Sequence, residues 1–157
     1  MVHYFAYGAN IDPARMTTRL PGAAIVGPAV LDDYELEFTI RDREWGGGVA
    51  NIRPEAGGHV YGLVWDVPED ELAALDTYRG DESHLRRDQV VVRTTQGDVS
   101  AVTYRVDQLA NHVPPSFEYL RHLRAAIVAQ GLPPEALQAV DDADRFGGRT
   151  TGPSIVS

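Results

Sequence analysis

The chain has 157 residues, 43% of them hydrophobic and 24% charged, with fourteen Lys/Arg against twenty-three Asp/Glu for a formal net charge of -9. A chain of this size buries roughly two-thirds of the surface its unfolded form exposes, enough for one core. With no cysteine, disulfide frameworks, thiolate metal sites, iron–sulfur centres and cysteine nucleophiles are excluded together. The acidic balance works against nucleic acid and anionic membrane as partners and favours a small-molecule substrate.

In chain order, the apolar run at residues 2–7 is closed by Gly8 and reads as a short buried strand. It lacks a basic leader pattern, so a cytoplasmic location is expected. Asp12-Pro13 reads as an N-cap followed by proline at the first helical position, opening a short helix to about Leu20. Tyr34, Leu36, Phe38 and Ile40 alternate with Glu35, Glu37 and Thr39 at a period of two, which places one face on a core and one in water. The run Trp45-Gly46-Gly47-Gly48 predicts a turn or bulge. Strands follow at 49–53 and 60–67, with Pro54-Glu55-Ala56-Gly57-Gly58 read as the turn between them.

Residues 68–76 predict a short helix carrying Leu72 and Leu75. The valine runs on either side of Gln96-Gly97 predict a hairpin. Phe117, Leu120, Leu123 and Ile127 recur at helical spacing up to Gly131-Leu132-Pro133. Strands early and a helix late make the class α+β, with a curved, mainly antiparallel sheet or barrel and flanking helices. The expected division is one domain over residues 1–140 and a partly mobile tail over 141–157.

The five histidines, at 3, 59, 84, 112 and 122, contain no HxxxH or HxH pair, and no metal is expected. Neither a P-loop nor a GxGxxG motif is present, and no serine sits in a GxSxG elbow. One segment does carry binding chemistry. In Tyr4-Phe5-Ala6-Tyr7-Gly8-Ala9-Asn10 a strand ends in small residues just before a helix start. Successive N–H groups can converge there on a carboxylate or oxyanion.

That segment resembles the YFAYGSN signature of the gamma-glutamylcyclotransferase superfamily, which includes AIG2-like proteins and gamma-glutamylamine cyclotransferases. Gly47-Gly48-Val49-Ala50-Asn51-Ile52 and Val60-Tyr61-Gly62-Leu63-Val64-Trp65 resemble two of its strands, and Leu75-Asp76 with Gly80 its LDxxEG helix end. Pro115-Ser116-Phe117-Glu118-Tyr119 with Gly131-Leu132-Pro133 resembles the PSxxY…GLP helix of the glutathione-metabolising branch. The resemblance covers roughly residues 3–140 and implies a gamma-glutamylcyclotransferase-like fold without a cofactor. It also implies a reaction in which a substrate's α-amine attacks its own γ-carbonyl, releasing 5-oxoproline and an amine. The glutamate of LDxxEG serves as base and acid in the family, and the YGSN turn holds the substrate.

The chain departs from this pattern at the pocket. Arg79 stands at the glutamate position, Ala9 replaces the serine of YGSN, and Leu85 precedes Arg86-Arg87 where a tyrosine is usual. A guanidinium does not act as a general base near neutral pH. Two readings follow. In one, the protein is an atypical enzyme acting on a small γ-glutamyl or other amino acid-like amide. Tyr7, Gly8, Ala9, Asn10 and Arg79 then bind substrate, and Glu82, Asp81 and Tyr119 carry the acid–base chemistry. In the other, it is a catalytically inactive binding module that keeps the turn and uses Arg79 as a charge partner. A third possibility is another cyclisation or acyl transfer with Tyr7, Tyr119 or His84 moving protons.

Overall fold

The computed structural model describes residues 1–78 and 85–146. The first strand, β1 (Val2–Ala6), leads through a 3-10 turn (Ala9–Ile11) into α1 (Pro13–Arg19). Asp12 caps α1 by accepting from the Ala14 N–H at 3.1 Å, with proline in its first turn. Two long strands follow, β2 (Ala24–Asp42) and β3 (Gly47–Val67), joined by the glycine-rich turn before Gly47. The remaining elements are α2 (Glu69–Tyr78), β4 (Leu85–Thr94), β5 (Gly97–Val106), α3 (Phe117–Ala129) and α4 (Pro134–Phe146). The fold is therefore α+β: a closed five-stranded barrel with flanking helices, as expected.

The strand order is β1-β3-β2-β4-β5. All pairings are antiparallel except β1 with β5, which meet in parallel at Tyr4↔Val102. The β2–β4 seam registers at Val30↔Arg93. Phe5, Phe38, Ile52, Leu63 and Trp65 are almost wholly buried, with Phe5 on the opposite face of the β1–β3 pair from Leu63 and Trp65, and Leu75 and Leu123 bring α2 and α3 onto the same core. Each such side chain contributes about 1.5–3 kcal/mol on leaving water.

Three local expectations change. The predicted turn at residues 54–58 is an irregularity within one continuous β3: pairing with β2 passes from Tyr34↔Pro54 directly to Asp32↔His59. Asp33, at φ 66°, accepts from the Gly57 N–H at 3.0 Å, so an aspartate on the partner strand closes the bulge. Phe117 is 79% exposed, whereas Tyr119, Leu120, Leu123, Ala126 and Ile127 form the buried face of α3. Ser116 is the N-cap, accepting from Tyr119 N–H at 3.1 Å, which puts Phe117 in the first position before that face turns inward. Finally, α4 runs through the boundary expected at residue 140 and buries Ala136, Val140 and Ala143. Residues 147–157 lie outside the described residues.

The approach to α3 fixes its place on the barrel. Val113 N–H donates to the Phe38 carbonyl at 2.9 Å and Gly48 N–H to the Pro114 carbonyl at 3.0 Å, laying the chain flat on the β2–β3 hairpin. A Cβ on Gly48 would lie 1.9 Å from the Val113 carbonyl oxygen, so only glycine allows this contact. The result is that Tyr119 points down onto the turn that follows β1.

Candidate functional site

Beyond β1 the chain turns sharply, with hydrogen bonds from Ile11 N–H to Gly8 C=O (3.0 Å) and from Asp12 N–H to Ala9 C=O (3.1 Å). The N–H groups of Ala9 and Asn10 precede the first of these bonds and have no acceptor within the turn. The turn is braced from below. Trp65 Nε1 donates to the Asn10 carbonyl at 3.1 Å, and Asn10 Nδ2 donates to the Tyr4 hydroxyl at 3.1 Å. Asn10 is 3% exposed, and its Oδ1 is buried without a hydrogen-bond partner among the described residues.

Above the turn lies Tyr119, 1% exposed, whose hydroxyl accepts from the Ala50 N–H at 3.0 Å. A Cβ on Gly8 would sit 3.3 Å from that hydroxyl oxygen. Glycine at this position lets turn and phenol close together. Tyr7 donates to the Tyr104 carbonyl, tying the end of β1 to β5.

These groups line a cleft of about 680 Å³. Of the residues expected to form a site, Tyr7, Gly8, Ala9, Asn10 and Tyr119 are brought together on its walls. Arg79, Asp81 and Glu82, and likewise His84, lie outside the described residues. On one side of that segment the chain lines the cleft, and on the other it bonds to a lining residue. Leu85 lines the cleft directly. Asp76, near the end of α2, accepts from the hydroxyl of the cleft residue Tyr104 and, through its other oxygen, from Arg87. Burial, and then the Asp76 carboxylate, push the Tyr104 phenol well above its ordinary range. Tyr104 is thus a protonated donor at neutral pH.

The sequence reading missed a second wall. The α1 residues Arg15 and Arg19 line the cleft, with Trp45 and Glu44 from the β2–β3 turn. Arg15 Nη1 and Nη2 donate to the two Glu44 oxygens at 3.2 and 3.0 Å, Arg19 Nη2 lies 3.6 Å from one of them, and the Arg15 guanidinium stands 5.3 Å above the Trp45 ring. The bond from Arg15 holds the Glu44 carboxyl below its ordinary pKa, partial burial opposing it. Trp45 meets Tyr119 edge-on at a ring distance of 5.2 Å, which makes the two walls continuous. The i, i+4 spacing of Arg15 and Arg19 just after the turn was the available signal.

A small closed barrel, with a turn whose Ala9 and Asn10 N–H groups have no acceptor among the described residues and a buried tyrosine above it, is the architecture of the gamma-glutamylcyclotransferase-like fold. The family described as "Gamma-glutamyl cyclotransferase, AIG2-like" matches residues 4–121, and the chain belongs to that family. It is 34% identical to the gamma-glutamylcyclotransferase of Bos taurus over 139 residues, covering 84% of this chain and 73% of the relative. It is 32% identical to that of Homo sapiens over 154 residues, covering 92% and 81%. A solved structure named gamma-glutamyl cyclotransferase superposes with a TM-score of 0.83 at 30% identity, covering 89% of this chain and 86% of that one.

Proposed function

We propose that the cleft binds a γ-glutamyl amide and cyclises it. The substrate's α-amine nitrogen attacks the γ-carbonyl carbon, the bond from that carbon to the departing amine breaks, and the proton lost by the attacking nitrogen ends on the leaving amine. The products are 5-oxoproline and a free amine. The observation that carries this reading is the turn of Ala9 and Asn10 N–H donors beneath the Tyr119 hydroxyl, inside a cleft of about 680 Å³. Such donors suit a carboxylate or a developing oxyanion. Membership of the family supports the same chemistry.

The proton carrier in this proposal is a carboxylate of the Asp81–Glu82 pair, with Arg79 as a charge partner for substrate and Tyr119 as a hydroxyl at the reacting centre. Support comes from the flanks: the chain leaves the cleft region beside Asp76 and returns to it at Leu85. Asp81 and Glu82 belong to the eight residues, 77–84, that join those two points in the sequence. The test is 5-oxoproline release from a panel of γ-glutamyl amides. Turnover that Glu82→Gln or Asp81→Asn abolishes is the expected result.

Arg79, which the resemblance sets at the position of the family's glutamate, favours a second reading, a binding module without turnover. Ligand binding by calorimetry with no 5-oxoproline formed, together with activity gained on Arg79→Glu, would establish that reading instead.

A further inference from the structure

Among the described residues the charged lining of the cleft is cationic, in a chain whose net charge is -9. Its charged lining comprises Arg15, Arg19, Arg41 and Arg43 against Asp42 and Glu44. Two of those guanidiniums converge on one carboxylate: Arg15 engages both oxygens of Glu44 through its terminal nitrogens, and Arg19 approaches the same group at 3.6 Å. The Arg15 and Arg19 side chains are only 17% and 19% exposed, whereas Glu44 is 56% exposed at the tip of the β2–β3 turn. The arginines are thus built into the wall and their carboxylate is not. Arg15 Nε is buried without a partner among the described residues, and the guanidinium carbon lies over the Trp45 ring, 5.3 Å from its centre.

A guanidinium fork is shaped to bind a carboxylate through two parallel hydrogen bonds. Glu44 is itself well exposed, so water can solvate its carboxylate as it leaves and a second carboxylate can take the same two hydrogen bonds from Arg15. We propose that Arg15 and Arg19 form a subsite for a carboxylate on the amine half of the substrate, and that Glu44 occupies this subsite until the ligand displaces it. Position supports the assignment. Trp45 packs on Tyr119, and Tyr119 covers the Gly8 turn, so a ligand seated on the turn extends along these two rings toward Arg15. Arg15, Arg19 and Glu44 are specificity-determining residues in this scheme and take no part in bond making.

The inference rests on the proposed cyclisation, and two probes separate them. Gamma-glutamylglycine and gamma-glutamylmethylamide differ only by the carboxylate on the departing amine. The quantity read is the ratio of their kcat/KM values, or of their Kd values by calorimetry if the protein binds without turnover. Wild type is expected to favour the glycine compound. Arg15→Gln and Arg19→Gln should each reduce that preference by about tenfold, through KM, as a charge-assisted hydrogen bond is lost. Glu44→Gln should increase it by about threefold, because the competing carboxylate is gone while the exposed turn tolerates the change. No preference in wild type, or a ratio that none of the three variants moves, overturns this inference while turnover of the methylamide leaves the cyclisation standing. Neither binding nor turnover of either probe overturns both.

Discussion

The hydroxyl of Tyr104 donates to Asp76, and the other oxygen of Asp76 accepts from Arg87. One carboxylate at the end of α2 therefore holds a cleft residue of β5 and a strand residue of β4. The phenol is buried and faces an anion, so its folded pKa is raised. The sign follows from linkage. Between the ordinary tyrosine pKa, about 10, and the higher folded value, the native state holds a proton that the unfolded state has released. Stability from this group is complete below pH ~10 and is lost as pH rises beyond it. Tyr104→Phe should cost about 1 kcal/mol at pH 7 and flatten the alkaline loss, measured by urea midpoints from pH 7 to 11. An unchanged alkaline slope in the variant would refute the assignment.

Gly8→Ala tests how tightly the turn must meet Tyr119. The added Cβ would lie 3.3 Å from the tyrosine oxygen and 3.5 Å from the Ala50 methyl. The hydroxyl must give way by a few tenths of an ångström. The expected stability loss is about 1 kcal/mol, as for mild overpacking. The expected loss in kcat/KM is larger, about tenfold, because donors at a reacting centre work only in a narrow geometry. Thermal melting and 5-oxoproline release measure the two effects, and losses of equal size would count against a binding role for the turn.

Gly48→Ala probes the docking of α3. Here the added Cβ would meet a backbone oxygen, that of Val113, at 1.9 Å, and the contact cannot be relieved by a side-chain rotation. The strap before α3 must lift from the hairpin, at a cost of about 3 kcal/mol. Gly46→Ala is the control. Its added Cβ meets nothing within 4 Å, and its penalty comes only from φ 74°, about 1 kcal/mol. Comparable urea midpoints for the two variants would show that the Val113 contact does not position the helix.

Which features could be read beforehand depended on how local their causes are. The alternation from Tyr34 to Ile40 and the Gln96-Gly97 turn are set by neighbouring residues, and they appear as β2 and the β4–β5 hairpin. Glu37 and Thr39, expected in water, are nevertheless buried, with Glu37 accepting from Arg53 and Asn51 on β3. The continuity of β3 through Pro54–Gly58 could not be read, because its residues have turn chemistry and the register with Asp32 and Tyr34 decides the outcome. Helix α4 was hidden because two of the residues it buries, Ala136 and Ala143, are small, and Asp141, Asp142 and Asp144 interrupt the pattern. At the site, the Tyr7–Asn10 turn was legible as a contiguous motif. The wall of Arg15, Glu44 and Trp45 was not, since only the docking of α1 against the β2–β3 turn brings these residues together.

Acid should act on the barrel seam through Asp32. Its two oxygens accept from Arg93 Nε at 2.6 Å and Nη2 at 2.9 Å, and His59 Nδ1 lies 2.8 Å from one of them. The three residues belong to β2, β4 and β3, beside the Val30↔Arg93 register that joins β2 to β4. The hydrogen bond from Arg93 is the main cause that lowers the Asp32 pKa to about 2, with desolvation opposing it and His59 adding to it. For a carboxylate with a depressed folded value, the stabilisation is present above the unfolded pKa, about 3.9 for aspartate, and is lost as pH falls through the folded one. The window is thus about pH 4 down to about 2. Asp32 is well exposed, so solvent screening keeps the neutral-pH contribution below about 1 kcal/mol. Asp32→Asn should lower the melting temperature slightly at pH 7 and bring wild type and variant together as pH approaches 2. High salt should narrow the gap at pH 7 in the same way. A gap that persists undiminished at pH 2 would mean that packing of the Asp32 side chain, and not its charge, holds the seam.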